Sequence, residues 1–292
     1  MIWRSSLRAG ASTPPRGYPS PGGAYRLDKG GPQWVAMNEG LPTSTQGWSI
    51  AIDPFTPQDI YLGTRDIGVF RRRVGGGGWH QVSERLGHAF ISSVAVDPIE
   101  PRTVYCAVGA LVYRSEDAGR TWSEASAGLP ARDVGELFID PFDTATIYFT
   151  TDVPGLSKSV DRGGHWRALT GGLTTSISDL VFDPLRRNVL YAATQNGVFT
   201  SRDGGRSWQP KSTGLGSEIV TTLAIDPSTP TTLYAGTFRG VYKSTNAGRT
   251  WALASSGVLA TAIVVAIVID PADPSRGLRR RAVCGLRLRF QD

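Results

Sequence analysis

Two unrelated sequence markers recur along this chain with one period. Tryptophan stands at positions 34, 79, 122, 166, 208 and 251, with spacings of 42 to 45 residues. The dipeptide Asp-Pro begins at positions 53, 97, 140, 183, 226 and 270, and it spans the same 217 residues in five steps. A period of about 43 residues indicates repeated supersecondary units that bury their apolar faces against one another. The composition does not change within residues 27–275, so the series indicates one domain.

Each unit has the pattern of four short strands. In residues 219–254, the apolar run 219–225 ends at an Asp-Pro, and the segments 232–237, 240–244 and 251–254 follow, separated by turn residues. No stretch with helical periodicity lies between them. The 35 glycines and 19 prolines of the 292 residues are also typical of a turn-rich, all-β chain. Four strands in about 43 residues predict one blade of a β-propeller.

The number of blades follows from the strands that remain at the two ends. Five complete units run from about residue 48 to residue 254, and residues 262–269 have the pattern of a further first strand. Residues 24–27 and 34–37 have the pattern of a third and a fourth strand. We therefore expect six blades of four antiparallel strands, closed by N- and C-terminal strands, because closure removes exposed sheet edges. Seven blades is the alternative.

The third turn of the units carries the most specific motif, Ser-x-Asp-x-Gly-x-x-Trp. It occurs three times in full, and a fourth copy has Asn for Asp; the copies are Ser115-Asp117-Gly119-Trp122, Ser159-Asp161-Gly163-Trp166, Ser201-Asp203-Gly205-Trp208 and Ser244-Asn246-Gly248-Trp251. These copies resemble the Asp-box, or bacterial neuraminidase repeat, of sialidases, sortilin-type receptors, xyloglucanases and photosystem II assembly factors. The resemblance covers residues 24–275 and implies a β-propeller. The turns ending at Trp34 and Trp79 keep only the Gly and the Trp of the motif.

The residue types of the motif suit a tight turn. A carboxylate or amide oxygen accepts hydrogen bonds from the backbone N–H groups of a turn, glycine permits a positive φ, and tryptophan supplies a large apolar surface. A row of catalytic or metal-binding aspartates is the competing interpretation. We expect turn stabilisation, and we predict no metal site, no cofactor and no catalytic residue. His80 and His165, beside the turn tryptophans, are expected to be structural.

The charge distribution separates the body of the chain from its ends. The net charge is +6, but residues 1–26 and 276–292 carry +4 and +5, which leaves −3 for residues 27–275. A body of this charge is not expected to bind nucleic acid.

We predict three segments: a disordered N-terminal segment at 1–23, the propeller at 24–275, and a basic tail at 276–292. The repeat stops abruptly at this tail, and our hypothesis is a frameshift near Ser275. No secretory signal is visible, the compartment is left open, and the longest apolar run, 258–269, is too short to span a bilayer.

Binding sites of propellers usually lie on the face where two sets of loops meet. The loops before first strands offer Gln46, Trp48, His88, Phe90, Arg132, Asp133 and Glu218, and the loops after second strands offer Arg65, Asp66, Asp152, Gln195, Asn196, Phe238 and Arg239. The set combines charged, polar and aromatic side chains that suit a sugar or a peptide. The ligand-binding residues predicted from it are Arg65, Asp66, His88, Arg132, Asp152, Gln195 and Arg239.

Three classes of function are open for such a chain. The first is a non-catalytic binding or assembly module, a monomer that recognises a protein or glycan on its axial face. The second is a glycoside hydrolase of the xyloglucanase or sialidase type, in which Asp66 and Asp152 would be the acid/base pair. The Arg-Ile-Pro sequence of sialidases is missing, and the xyloglucanases place their two aspartates between two propellers. The third class is a spacer propeller of a larger surface protein.

Overall fold

The structure confirms an all-β chain. The computed structural model describes residues 7–8, 23–27, 34–57, 59–73, 76–130, 135–150, 155–169, 171–256 and 263–269. Within these ranges it contains 23 β-strands and one short 3₁₀ helix, Glu84–Leu86. The strands are short, as expected from the dense turn residues.

Most of the strands form five antiparallel sheets of four consecutive strands, which we call blades 1 to 5. Blade 1 contains β4 (Gly47–Ile52), β5 (Asp59–Thr64), β6 (Val69–Arg73) and β7 (His80–Gln81). Blade 2 contains β8 (Ile91–Val96), β9 (Val104–Val108), β10 (Leu111–Ser115) and β11 (Ser123–Glu124). Blade 3 contains β12 (Leu137–Ile139), β13 (Ile147–Thr150), β14 (Leu156–Ser159) and β15 (Trp166–Leu169). Blade 4 contains β16 (Ile177–Phe182), β17 (Leu190–Thr194), β18 (Gly197–Ser201) and β19 (Gln209–Pro210). Blade 5 contains β20 (Val220–Ile225), β21 (Leu233–Thr237), β22 (Gly240–Ser244) and β23 (Ala252–Leu253).

The repeated Asp-Pro ends the first strand of each blade because its carboxylate stabilises the turn that follows. In blade 2, Oδ1 of Asp97 accepts the backbone N–H groups of Ile99 and Glu100 at 2.8 and 3.0 Å. The equivalent aspartates of the other four blades accept in the same way; they are Asp53, Asp140, Asp183 and Asp226. Proline cannot donate to the sheet at the next position, so the strand ends there.

The hydrophobic core lies between adjacent blades. One cluster joins Val181 and Tyr191 of blade 4 to Val220, Leu223 and Leu233 of blade 5. Further clusters join blades 1 and 2, blades 2 and 3, and blades 3 and 4 in the same manner. Each second strand is buried along its whole length or nearly so, since both of its faces are covered by neighbouring blades.

Three of the repeat tryptophans connect a blade to the preceding blade. The indole N–H of Trp122 donates to the carbonyl of Val82, which directly follows β7 of blade 1, at 2.7 Å. Trp166 and Trp251 donate at 2.7 Å to Ala125 and Lys211, the residues that follow the last strands of blades 2 and 4. At these three contacts the neighbouring blade satisfies the indole N–H, whereas the indole N–H of Trp208 in blade 4 donates to Gly205 of its own turn at 3.1 Å.

The N-terminal hairpin occupies the position of an outer half-blade. Strands β2 (Tyr25–Leu27) and β3 (Trp34–Ala36) pair with each other, as predicted. Trp79 of blade 1 is 2% exposed, and its indole N–H donates to the carbonyl of Met37 at 2.5 Å. Met37 therefore holds the position that Val82 holds for Trp122, and the hairpin lies against blade 1 as the preceding blade would.

The C-terminal segment occupies the position of a further first strand, although it is not a regular one. The expected strand at 262–269 is wrong in this respect: within 263–269 only an isolated bridge at Ile267 is present. The Val264 N–H nevertheless donates to Thr237 at 2.9 Å, and its carbonyl accepts from the hydroxyl of Thr221. Pairing with a second strand of its own would involve residues from 270 onwards, which lie outside the described residues.

The predicted end segments lie mostly outside the described residues. Residues 1–6, 9–22 and 270–292 belong to this group, and with them the tail, its hypothetical frameshift and most of the N-terminal segment. Strand β1 (Leu7–Arg8) is described, and it pairs antiparallel with β4, with Leu7 opposite Ile50. The count of six blades and the closure of the ring both stay predictions.

Candidate binding site

The loops before the first strands and after the second strands lie at one end of each blade. In blade 1, Gly47 at the start of β4 pairs with Thr64 at the end of β5. The loop before the first strand and the turn after the second strand therefore lie at the same end, which we call the top end. The Asp-box turns join third to fourth strands and lie at the opposite, bottom end.

The structure brings Arg65, Asp66 and His88 to the top of blades 1 and 2. The Arg65 N–H donates to the Gln46 carbonyl at 3.0 Å, and its guanidinium contacts the Gln46 side chain at 3.4 Å. The Gly68 N–H of the same turn donates to Ala89 at 3.3 Å, which ties this turn to the loop that contains His88. All three predicted side chains are exposed there.

An aromatic pair lies beside these polar groups. The rings of Trp48 and Phe90 meet edge to face, with their centroids 5.1 Å apart. Both residues stand at the first strands of adjacent blades, and both are partly exposed. Such a pair offers apolar aromatic surface next to charged side chains, which is the combination found in sugar and peptide sites.

Gln195 and Arg239 lie at the top ends of blades 4 and 5. Gln195 is exposed in the turn between β17 and β18. The Nε of Arg239 lies 3.7 Å from Oε1 of Glu218, so the arginine is held beside the first strand of its blade. Phe238, next to it, is 46% exposed. Their convergence with Arg65 into one pocket stays a prediction.

Two residues of the predicted site fall outside the described residues. They are Arg132 and Asp152, and Asp133 lies outside the described residues as well. The proposed acid/base pair of Asp66 and Asp152 therefore stays a prediction.

Sequence reasoning missed a buried polar belt on the first strands. Asp179 is 5% exposed, and its carboxylate accepts the N–H of Leu180 at 2.8 Å and the N–H of Leu223, in the next blade, at 2.9 Å. The hydroxyl of Thr222 donates to it as well, at 2.9 Å. The available signal was the polar pairs within otherwise apolar strands, at 92–93, 178–179 and 221–222. These contacts satisfy the carboxylate within the protein, so Asp179 stabilises the contact between blades 4 and 5.

The Asp-box aspartates stabilise their own turns, as expected. In the second full copy, Asp161 accepts the hydroxyl of Ser159 at 2.7 Å and the His165 N–H at 2.8 Å, while its other oxygen lies 2.9 Å from the His165 ring. The Ser159 hydroxyl in turn accepts the Gly163 N–H at 2.9 Å, and Gly163 has a φ of +86°. The motif thus needs Ser, Asp and Gly for one local network.

The same networks shift the acidity of the aspartates. Hydrogen bonds from the His165 backbone and ring lower the pKa of Asp161 to about 2. Burial opposes such a shift at Asp117 and Asp203, but the hydrogen bonds from Thr121 and Ser207 outweigh it and lower the pKa of each to about 2. These carboxylates are therefore ionised and accept hydrogen bonds within their turns, so they are poor proton donors near neutral pH.

Two further features bear on function within the described ranges. No group of three or more His, Cys, Asp or Glu side chains there is arranged to hold a metal ion. The same ranges contain no helix with the length and apolar character needed to cross a membrane.

Solved structures with the same arrangement of blades were found by comparison of the folds. The chain is similar to the GH74 enzyme of Niastella koreensis, with a TM-score of 0.66 and 21% identity over 79% of this chain and 42% of that one. It is similar to the GH74 xyloglucanase of Xanthomonas campestris, with a TM-score of 0.52 and 21% identity over 77% and 49% of the chains. It is similar to YCF48 bound to the D1 peptide, with a TM-score of 0.57 and 15% identity over 76% and 72%.

The fold is a β-propeller. The predicted resemblance to repeat propellers of the xyloglucanase and photosystem II assembly classes is confirmed at the level of the fold. The propeller spans less than half the length of the GH74 structures and about three quarters of YCF48. No protein-family model matches the chain, and neither does any curated protein.

Proposed function

We propose that this propeller is a non-catalytic binding or assembly module that recognises a protein or glycan ligand with the top ends of its blades. One observation carries the proposal: the turns at the top have a fixed backbone and variable, exposed tips. Binding residues typically sit on loops that a rigid scaffold positions. The proposed ligand-binding residues are those predicted from the sequence.

A threonine at the end of the second strand fixes each of three described turns. In blade 5, the Thr237 hydroxyl donates to the Gly240 carbonyl at 3.1 Å and accepts the Arg239 N–H at 3.0 Å. Thr64 and Thr194 make the same two contacts in blades 1 and 4. The backbone groups of these turns are thus satisfied internally, and the tip side chains remain available for a ligand.

The tips held in this way differ from blade to blade. They are Arg65-Asp66 in blade 1, Gln195-Asn196 in blade 4 and Phe238-Arg239 in blade 5. Together with the Trp48–Phe90 pair they combine cationic, amide and aromatic groups, which suit hydrogen bonding to a chain and stacking against a ring. One structural relative, YCF48, was solved bound to the D1 peptide, so a propeller of similar fold can hold a peptide.

A glycoside hydrolase is the second candidate, and Asp66 is the observation that favours it. This carboxylate is exposed at the top end, and the GH74 enzymes share the fold. A hydrolase also needs a second carboxyl group at a suitable distance. Glu218, on the same side of the molecule, is held by Arg239. The binding module therefore has more support from the described residues.

A glycan and peptide array that includes the D1 peptide and xyloglucan fragments tests the proposal. The double variant Arg65→Ala/Arg239→Ala should weaken binding of the best array ligand at least about tenfold, since two charge-assisted contacts are lost. The matched control is Arg120→Ala/Arg206→Ala, which removes two exposed arginines from bottom-end turns and should leave affinity unchanged.

The outcomes separate the three classes of function. Release of reducing ends from xyloglucan, abolished by Asp66→Asn, would overturn the binding module in favour of the hydrolase. An array without any ligand would favour the spacer. Equal losses in the two arginine double variants would place the ligand away from the top end.

A further inference from the structure

One contact between adjacent blades differs from the other three described ones. In each blade a tyrosine of the second strand, eight residues after the Asp of Asp-Pro, lies opposite a residue of the third strand. In four blades that residue is a cation; the pairs are Tyr61 and Arg71, Tyr105 and Arg114, Tyr148 and Lys158, and Tyr234 and Lys243. In blade 4 it is Thr200, opposite Tyr191.

The cation fills the gap between a blade and the Asp-box turn of the next blade. The guanidinium of Arg71 lies over the Tyr61 ring at 5.5 Å and donates to the Ala118 carbonyl of blade 2 at 3.4 Å. Arg114 reaches the Arg162 carbonyl of blade 3 at 3.2 Å. Thr200 is too short to do so, and its hydroxyl donates to Leu190 of its own blade at 3.1 Å.

A second contact closes the gap between blades 2 and 3 alone, since the same repeat positions hold Thr56 and Ala118 between blades 1 and 2, and Asp143 and Gly204 between blades 3 and 4. The guanidinium of Arg162 pairs with both carboxylate oxygens of Glu100 at 2.8 and 2.9 Å. The residues at the same repeat positions farther along are Arg186, three residues after Asp183, and Ala247, three residues after Ser244. The ion pair is thus replaced by a cation and a methyl group.

A cavity of about 390 Å³ lies between blades 4 and 5 at the bottom end, and Thr200, Arg186 and Ala247 all line it. We call it the rim pocket. Tyr191, Val189 and Ala247 contribute apolar surface, and Thr200, Thr231, Thr245 and Asn246 contribute polar groups. Its cationic side chains are Arg186, Arg202, Lys211 and Arg249.

The charge of the rim pocket is not balanced by its lining. Arg186 lies 3.0 Å from the buried Asp183 carboxylate. Across the described part of the chain, Arg202, Lys211 and Arg249 form no ion pair, and no acidic residue lines the pocket. Cations that converge on a partly enclosed space attract an anion, and arginine in particular pairs with planar or tetrahedral oxyanions through two hydrogen bonds.

We propose that the rim pocket binds an oxyanion, a carboxylate, sulfate or phosphate, carried by a ligand of about monosaccharide size. The volume lies at the lower end of the range of small-molecule sites. The apolar wall at Val189 and Ala247 accommodates the ring or carbon skeleton, and the arginines hold the charged group. This site lies at the end opposite to the proposed ligand-binding turns, and it is independent of the function proposed for them.

Titration calorimetry of the full chain with four probes at constant ionic strength tests the proposal. The probes are inorganic sulfate, inorganic phosphate, glucuronic acid and, as the neutral comparison, glucose. We expect saturable binding of one ligand per chain for at least one anion and none for glucose. Binding of glucuronate above that of the inorganic ions would identify an acidic sugar as the source of the oxyanion, and the reverse order would identify a free ion.

Two variants of the pocket and one control separate the site from general electrostatics. Arg202→Gln/Arg249→Gln should weaken the anion at least about tenfold. Arg120→Gln is the control, because Arg120 holds the position of Arg249 in the turn of blade 2. It should leave the affinity unchanged.

The strongest variant rebuilds the closed contact at this interface. Arg186→Glu/Ala247→Arg recreates the pair formed by Glu100 and Arg162, and position 247 tolerates the change because Ala247 and Arg162 have φ values of +57° and +59°. This variant lowers the net charge by one unit, as Arg120→Gln does, so a loss of anion binding in this variant and not in the control reflects the pocket itself. Absence of saturable binding to all three anions, equal losses in the control, or wild-type affinity in the rebuilt variant would each overturn the proposal.

Discussion

Removal of the Asp-box serine should destabilise the propeller far more than its size suggests. Ser159 is 1% exposed, and its hydroxyl donates to Asp161 at 2.7 Å and accepts the Gly163 N–H at 2.9 Å. In Ser159→Ala the Gly163 N–H is buried without a partner, which costs about 1–3 kcal/mol, and the loss of the hydroxyl–carboxylate bond adds about 1 kcal/mol. We expect a loss of about 3 kcal/mol.

Thermal unfolding followed by circular dichroism measures this effect. For a domain of this size about 3 kcal/mol corresponds to a fall in Tm of roughly 6–12 °C. The matched control is Ser123→Ala, because Ser123 is exposed and makes one bond of 3.3 Å, and it should change stability by less than about 0.5 kcal/mol. A Tm of Ser159→Ala equal to that of the control would refute the reasoning that the motif is a stabilising turn network.

Three further predictions concern the acidic and thiol groups. Asp117→Asn should change stability by less than about 0.5 kcal/mol, because the Asn box of blade 5 makes the same contacts, whereas Asp117→Ala should cost about 1–2 kcal/mol; urea unfolding distinguishes them. The pKa values of Asp117, Asp161 and Asp203 are about 2 in the folded state, below the ordinary 3.8, so the stability that these ionised carboxylates contribute is complete above pH 4 and is lost as the pH falls toward 2. A variant with Asn at all three positions should therefore lose less stability than the wild type between pH 4 and pH 2. Equal losses of stability in the two proteins over this interval would contradict the prediction. Burial raises the pKa of the Cys106 thiol, so in a Cys284→Ser variant Ellman's reagent at pH 8 should react only after denaturation.

The repeat made the strands predictable, and local chemistry is the reason. The expected strands of the unit at 219–254 agree with the observed bounds to within one or two residues, since Asp-Pro and the Gly-containing turns end strands by their own backbone preferences. The bulges in the first strands, such as the one between Val220 and Thr222, were not predicted, because a bulge depends on the register with a partner strand.

The sites were predictable to different extents. Arg65 and Asp66 were correctly placed at a top-end turn, because turn residues after a second strand mark that end. The rim pocket was not visible in the sequence. The sequence gives Thr200 no special role. Only its pairing opposite Tyr191 in the sheet shows that it stands where the other blades have a cation. A cavity between repeats forms where side chains are shorter than those at the equivalent positions of the other blades. Such differences are recognised only after the blades have been superimposed.

The indole–carbonyl contacts give the molecule the energetics of a one-dimensional array. Trp79, Trp122 and Trp166 each connect a unit only to the unit before it. Damage to one contact should therefore remain local, and its cost should be shared by two neighbouring blades rather than by the whole domain. The same property makes the units interchangeable: a blade transplanted with its own tryptophan meets the same carbonyl at any position, so duplication and exchange of units can change the loops without disturbing the scaffold.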